Sequence, residues 1–438
     1  MPNKSETPGS NGGHSGLTFA LAFVFCALFL LLSVSTVYFA LTAPEDEPSA
    51  SVSAPPPTAS PSGTSEPSAP PTDDGSAVPS GEPDLNNPSR MRAQEVLAGM
   101  TLDEKLWQLF FVTPEQLTGY ANVTEAGSAT QSALRDRPVG GVIYFAKNIV
   151  SPTQVQTMLT KIQGYADLPL FLAVDEEGGS VQRIGGKTAM HVPSVPAMGS
   201  IGRSGDPAQA REVGETIGET LYSLGFNLDL APVADVLTGG SNTPIGDRSF
   251  GADPALVSEM TAALVEGLHA SGIASTLKHF PGLGGAAADT HTDSAETART
   301  LDQMRASEFL PFAAGIKAGS EFVMLSHLSA TAIDPSGAPA SLSPAVLTLL
   351  RGELGFRGVA ITDSLSMGAI TNHYEAGEAA VLAVEAGADM LLMPGDLTLA
   401  FDAVKAAVTD GRLTEARIDE SVTRILTAKV AQGLLGDI

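Results

Sequence analysis

From residue 101 onward the chain alternates short, nearly unbroken apolar runs with longer stretches in which apolar positions recur every three or four residues. The runs are Gln108–Val112, Gly141–Phe145, Leu170–Val174, Asn227–Pro232, Ala274–Lys278, Glu321–Ser326, Val359–Thr362 and Ala388–Met393. A strand apolar at consecutive positions is covered on both faces, as in a parallel sheet flanked by helices. Between most of the runs lie amphipathic helical patterns, among them Pro207–Leu224, Pro254–Ala270, Leu301–Ala318, Pro344–Leu354 and Glu375–Ala386. Thr101 and Glu104 stand at capping-box spacing and open a further helix. Eight strands alternating with helices predict an α/β fold, a (β/α)8 TIM-type barrel over residues 90–438. A doubly wound open sheet is the competitor, but no glycine-rich phosphate loop follows the first run.

The first ninety residues follow another pattern. Leu17–Ala43 is apolar and free of charge. As a helix it would reach about 40 Å, enough for a hydrocarbon core of ~30 Å. It predicts a transmembrane anchor, with a cleaved signal segment as the alternative. Lys4 precedes it and Glu45, Asp46 and Glu47 follow, which places residues 1–16 in the cytoplasm and the rest of the chain outside. Residues 44–89 are rich in Pro, Ser and Ala and hold 12 of the 30 prolines. That composition predicts a disordered linker.

Charge and cysteine content narrow the function classes. Residues 1–89 carry nine acidic and one basic side chain, which leaves −17 of the chain's net −25 to residues 90–438. Such a domain would repel nucleic acid. Cys26 is the single cysteine and lies inside the apolar run, so neither a disulfide framework nor a thiolate metal site is available. The histidines show no His-Glu-x-x-His spacing, and no Gly-x-Ser-x-Gly elbow occurs. No metal site and no cofactor are expected.

A barrel places its chemistry at the C-terminal ends of its strands. The polar residues that stop the runs are Asp175, Asp235, Lys278 with His279, His327, Asp363 and Asp396. Any one such Asp is as readily a helix cap; six stops converging on one face point to a site. Asp363, in "VAITDSLSMGAI", has the placement of a carboxylate that attacks an anomeric carbon or stabilises an oxocarbenium-like transition state. Lys278 and His279 lead into a Gly/Ala-rich loop that ends in Asp289-Thr290-His291. An Asp two residues from a His can orient one ring nitrogen and leave the other for proton transfer. "LAVDEEGGSVQR" supplies Asp175 and Arg183, and "PIGDRSFG" supplies Asp247 and Arg248. These suit directional bonds to hydroxyls and an amide carbonyl, unless they pair with each other.

Taken in order, "VDEEGG" with Arg183, "GDRSF", "KHFPG" and "ITDSLSM" resemble glycoside hydrolase family 3 over roughly Arg92–Leu435. The resemblance implies a (β/α)8 domain and retention of anomeric configuration through a glycosyl-enzyme. It gives Asp363 the place of the nucleophile. Asp175, Arg183, Arg248, Lys278 and His279 match sugar-contacting residues. The chain ends soon after its last helical segment, so it is similar to the single-domain β-N-acetylglucosaminidases, whose acid/base is a His paired with an Asp. "ADTH" stands at that position and gives Asp289 and His291 those roles.

Four departures from the family pattern are evident, of which Thr290 in place of Ser is expected to be mild. Leu283 replaces a frequent His, which predicts a lost loop contact. Glu176 and Ser180 replace Gln and Arg, which predicts a changed rim beyond the first sugar.

The resulting expectation is a membrane-tethered, extracytoplasmic exo-β-N-acetylglucosaminidase with a monomeric catalytic domain, acting on β-N-acetylglucosaminide glycans or muropeptides. A β-N-acetylglucosaminide phosphorylase, a β-glucosidase and an inactive tethered sugar-binding protein are the alternatives.

Overall fold

The computed structural model of the chain describes residues 87–239, 243–286 and 288–436. The expected anchor (17–43) lies outside these residues, as does the expected linker apart from its last three positions. Among the described residues no helix is long and apolar enough to cross a membrane.

All eight apolar runs become strands, and they close into a barrel. In chain order these are β1 (Phe110–Val112), β2 (Gly141–Tyr144), β3 (Phe171–Val174), β4 (Leu228–Asp229), β5 (Thr276–Phe280), β6 (Phe322–Leu325), β7 (Val359–Thr362) and β8 (Leu391–Leu392). Every pairing between them is parallel. Phe111 lies opposite Gly141, Gly141 opposite Phe171, and Ala173 opposite Leu228. Thr276 lies opposite Phe322, and Phe322 opposite Val359. The bridges Leu228–Ala274 and Ile361–Met390 join the two arcs. Leu391 against Phe110 completes the ring.

Side chains of alternate strand residues point into the barrel. Phe111, Ile143, Phe171, Ala173, Leu228, Leu230, Phe322, Met324, Val359, Ile361 and Leu392 belong to one buried cluster there. Ile425 and Ala428 of the C-terminal helix Glu415–Ala431 join that cluster. The next residue, Lys429, reaches Gln108 just ahead of β1 (Nζ to Oε1, 2.7 Å), so this helix plugs the N-terminal mouth.

A helix follows each strand. Several begin with a polar cap and a proline: Ser151-Pro152, Asp206-Pro207, Asp253-Pro254 and Ser343-Pro344. The cap oxygen accepts an otherwise orphaned amide, and proline's fixed φ suits the first turn. The expected helix over 301–318 is broken into Leu301–Arg305 and Phe309–Lys317. Pro311 explains the break, since it has no N–H to give the Ser307 carbonyl and its ring would clash there. Thr101 and Glu104 form the reciprocal capping box, at 2.7 and 3.3 Å.

Candidate active site

The two-residue period of the strands carries three side chains from the core into a cavity. Asp175 continues the inward series Phe171, Ala173; Lys278 continues Ala274, Thr276; Asp363 continues Val359, Ile361. They stand one layer above Ile143, Leu230, Met324 and Leu392, which form the apolar floor of a cavity of about 430 Å³. His279 follows Lys278 in sequence and would ordinarily face away. The register of β5 against β6 shifts between Leu277 and Phe280, and both Lys278 and His279 line the cavity. Re-aiming of this kind is what a bulge does.

Asp175 accepts from Lys278 Nζ at 2.9 Å and lies 3.4 Å from the Arg183 guanidinium. Glu177 is buried and accepts two bonds from Arg248, Nε and Nη2, each 2.8 Å. Lys278 Nζ is also 2.6 Å from Glu177. Burial works to raise the Glu177 pKa, but Lys278 and Arg248 outweigh it and hold the carboxyl at about 2. Burial likewise opposes the charge on Lys278, and Asp175 and Glu177 reverse that, so its pKa is raised. The three cations are thus engaged by Asp175 and Glu177. Asp363 keeps the Ser364 amide as a donor at 2.7 Å. Burial opposes its ionisation, yet nearby His279 and His327 and this amide hold its pKa below the usual range. The result is an ionised carboxylate over an apolar floor.

His291 enters the cavity from the loop after β5. Its Nδ1 lies 2.8 Å from Asp289 Oδ1, and both side chains remain largely exposed. The loop is docked against the segment that follows Asp363. Gly368 N–H donates to the His291 carbonyl (3.1 Å) and Ala369 N–H to the Thr290 carbonyl (3.2 Å). Asn372 reaches Thr292 O at 3.1 Å, and His373 pairs with Asp293 at 2.8 Å.

Seven of the eight residues expected at the site therefore line one cavity, and Asp289 lies behind His291. Other expectations need correction. Asp396 is an exposed N-cap of the helix Leu397–Thr409, accepting from Leu399 N–H at 2.9 Å. Asp247 is exposed on a short turn. His327 lies behind Asp363, its ring nitrogens bonded to Ser341 Oγ and the Ser364 carbonyl, both at 2.8 Å. Asp235 is buried behind His279, 2.7 Å from its Nδ1.

Glu176 is not a rim residue. It is buried and accepts the amides of Arg183, Ile184 and Gly185 at 2.7–2.9 Å, which fixes the loop that carries Arg183. Ser180 is exposed at the turn between the short strands Glu176–Gly178 and Val181–Gln182. Leu283 packs with Val233, Ile245, Ala286, Ala295 and Leu328, so an apolar contact occupies its position.

Glu177 is a charged cavity-lining residue that sequence reasoning passed over; its signal was the third acid of "VDEEGG". Among the described residues no group of three or more His, Cys, Asp or Glu is placed to hold a metal ion.

The family model "Glycosyl hydrolase family 3 N terminal domain" matches residues 101–428. The chain belongs to glycoside hydrolase family 3. It is a glycoside hydrolase. One relative, a β-hexosaminidase of Stenotrophomonas maltophilia strain K279a, is 36% identical over 328 residues, covering 69% of this chain and 96% of that protein. A family 3 β-N-acetylglucosaminidase structure from Paenibacillus sp. FPU-7 superposes with a TM-score of 0.72 at 36% identity, over 78% of this chain and 64% of that one. A β-N-acetylhexosaminidase structure from Beutenbergia cavernae gives 0.67 at 32% identity, over 76% and 99%.

Proposed function

We propose that this glycoside hydrolase is a retaining exo-β-N-acetylglucosaminidase that removes terminal β-linked N-acetylglucosamine from cell-wall-derived glycans. The observation that carries the reading is the shared cavity of Asp363 and His291. In it, Asp363 attacks the anomeric carbon and forms a glycosyl-enzyme. Asp289 accepts the Nδ1 proton of His291 and so leaves Nε2 to protonate the departing oxygen, then to take a proton from water. Asp175, Arg183, Arg248, Lys278 and His279 hold the sugar, and the apolar floor takes its carbon face. Because the floor is the packed barrel interior, a glycan enters by its end, which supports an exo mode.

The acetamido specificity is carried over from the activities of the relatives named above. A tethered, extracytoplasmic location rests on the apolar run 17–43 and the proline-rich stretch after it, and the wall-derived substrate follows from that location.

The test uses the full-length protein with aryl and alkyl β-N-acetylglucosaminides, aryl β-glucoside and muropeptides, with and without phosphate. Asp363→Ala should abolish turnover of all of them. His291→Ala should slow alkyl and sugar leaving groups by about 10²–10⁴ and nitrophenolate far less. Equal losses on both leaving-group classes would sink the acid assignment. A sugar phosphate product would identify a phosphorylase, and preference for the glucoside would overturn the acetamido specificity.

A further inference from the structure

Asp235 touches no part of the cavity, yet two of the cavity's side chains are set by it. Its side chain is completely buried in the segment that follows β4. Oδ2 accepts from His279 Nδ1 at 2.7 Å and from the His279 backbone N–H at 3.2 Å. Oδ1 accepts the Leu283 amide at 2.6 Å. Its own carbonyl accepts from Ser249 Oγ at 2.6 Å, next to Arg248. One residue therefore ties the loop bearing Arg248 to the strand end bearing His279.

Both Asp235 oxygens accept backbone N–H groups, so the one facing the ring accepts there too and Nδ1 carries a proton; in an imidazole with a single ring proton Nε2 is then a bare lone pair. The other side of the ring agrees. Arg248 Nη2 lies 3.5 Å from His279 Nε2, and a guanidinium only donates. A proton on Nε2 would face that donor. Two neighbours on opposite edges of the ring thus select the same tautomer.

Arg248 Nη2 gives one hydrogen to Glu177 at 2.8 Å and turns the other toward His279 Nε2 at 3.5 Å, a long contact that a substrate hydroxyl replaces by accepting from Nη2 and donating to Nε2. A hydroxyl does both, since it gives one proton and accepts another. We propose that Asp235 is a positioning residue that locks His279 in the Nδ1–H tautomer, so that His279 and Arg248 together recognise one substrate hydroxyl as simultaneous donor and acceptor. This rests on the reading of the cavity as a sugar site.

The direct measurement is the ring ¹⁵N spectrum of the substrate-free wild-type protein, with His279 assigned by its loss in His279→Gln. The expected pattern is a protonated Nδ1 and a pyridine-like Nε2; a protonated Nε2 overturns the proposal. In Asp235→Asn either orientation of the amide sets its NH2 against a backbone N–H, that of His279 or that of Leu283, so the hold on the His279 ring is weakened. The single-tautomer pattern should blur toward a mixture, and kcat/KM should fall about 10- to 100-fold, the cost of one unsatisfied buried hydrogen-bonding group.

Against monodeoxy glycosides, one analogue should lose its penalty in Asp235→Asn, and it identifies the hydroxyl. A uniform loss across the series overturns the recognition role. In a His279→Ala background, Asp235→Asn should change kcat/KM by less than about twofold, because its action passes through His279. If Asp235→Asn does not fold, the wild-type spectrum still decides the tautomer. If the protein cleaves no glycoside, the glycosidase reading and the hydroxyl assignment fail together, while the ring spectrum decides the tautomer independently of turnover.

Discussion

The backbone N–H of Gly368 donates to the carbonyl of His291 at 3.1 Å, and this bond ties the loop carrying the proposed acid to the segment that follows the proposed nucleophile. The two groups reach the cavity from different strand ends, β5 and β7. Their relative position depends on contacts across that seam rather than on either strand alone.

Gly368 has no room for a side chain. An added Cβ would lie 2.2 Å from the Thr292 carbonyl oxygen and 3.0 Å from that of His291. Both obstacles are backbone atoms, so Gly368→Ala must push the His291 loop away from the cavity. Its expected signature is a loss of about tenfold or more on alkyl glycosides with a much smaller loss on nitrophenyl ones, since displacing an acid by ~1 Å costs its proton-transfer geometry. An equal effect on both would show that the loop had not moved.

Arg248 and Arg305 each grip one carboxylate with two bonds, and burial separates their worth. Glu177 is nearly inaccessible under Arg248, whereas Glu353 and Arg305 stay well exposed. Glu177→Gln leaves Lys278 and Arg248 short of a buried counter-charge, and should destabilise by about 3–5 kcal/mol. Glu353→Gln should cost about 0–1 kcal/mol. Urea unfolding of the two variants checks the contrast, which fails if they differ by less than the fitting error.

Lys429 sits at the closed mouth of the barrel and, among the described residues, donates to neutral Gln108, near the Phe171 ring. Burial pushes its pKa down to about 7, against about 10.4 in an unfolded chain. Between those values the unfolded chain holds a proton that the folded one lacks, so stability from this group rises with pH across that window. Below pH 7 the folded state must bury the charge. Lys429→Met should therefore stabilise the protein at pH 6, by about 1–3 kcal/mol after the lost bond to Gln108 is allowed for. The gain should shrink toward pH 10. Unfolding midpoints at both pH values test it, and a gain that grows with pH would reverse the argument.

The barrel was legible in the sequence because its interior is one physical condition repeated eight times. A parallel strand covered on both faces must be apolar at successive positions, and all eight runs became strands. Asp175, Lys278 and Asp363 were legible for the same reason, as the polar residues that end those runs on the inward face.

What each carboxylate does was decided only by the tertiary structure. Asp235 and Asp396 look alike in sequence, each an Asp just past an apolar run. One is buried against His279 and the other caps a surface helix. In "VDEEGG" three adjacent acids take three separate fates. Asp175 meets Lys278, Glu176 turns back to the amides of its own loop, and Glu177 meets Arg248, 71 residues further along the chain. A carboxylate is defined by the donors that reach it. For Asp175, Glu177 and Asp235 those donors come from other strand ends, so barrel closure, and no local pattern, assigns them.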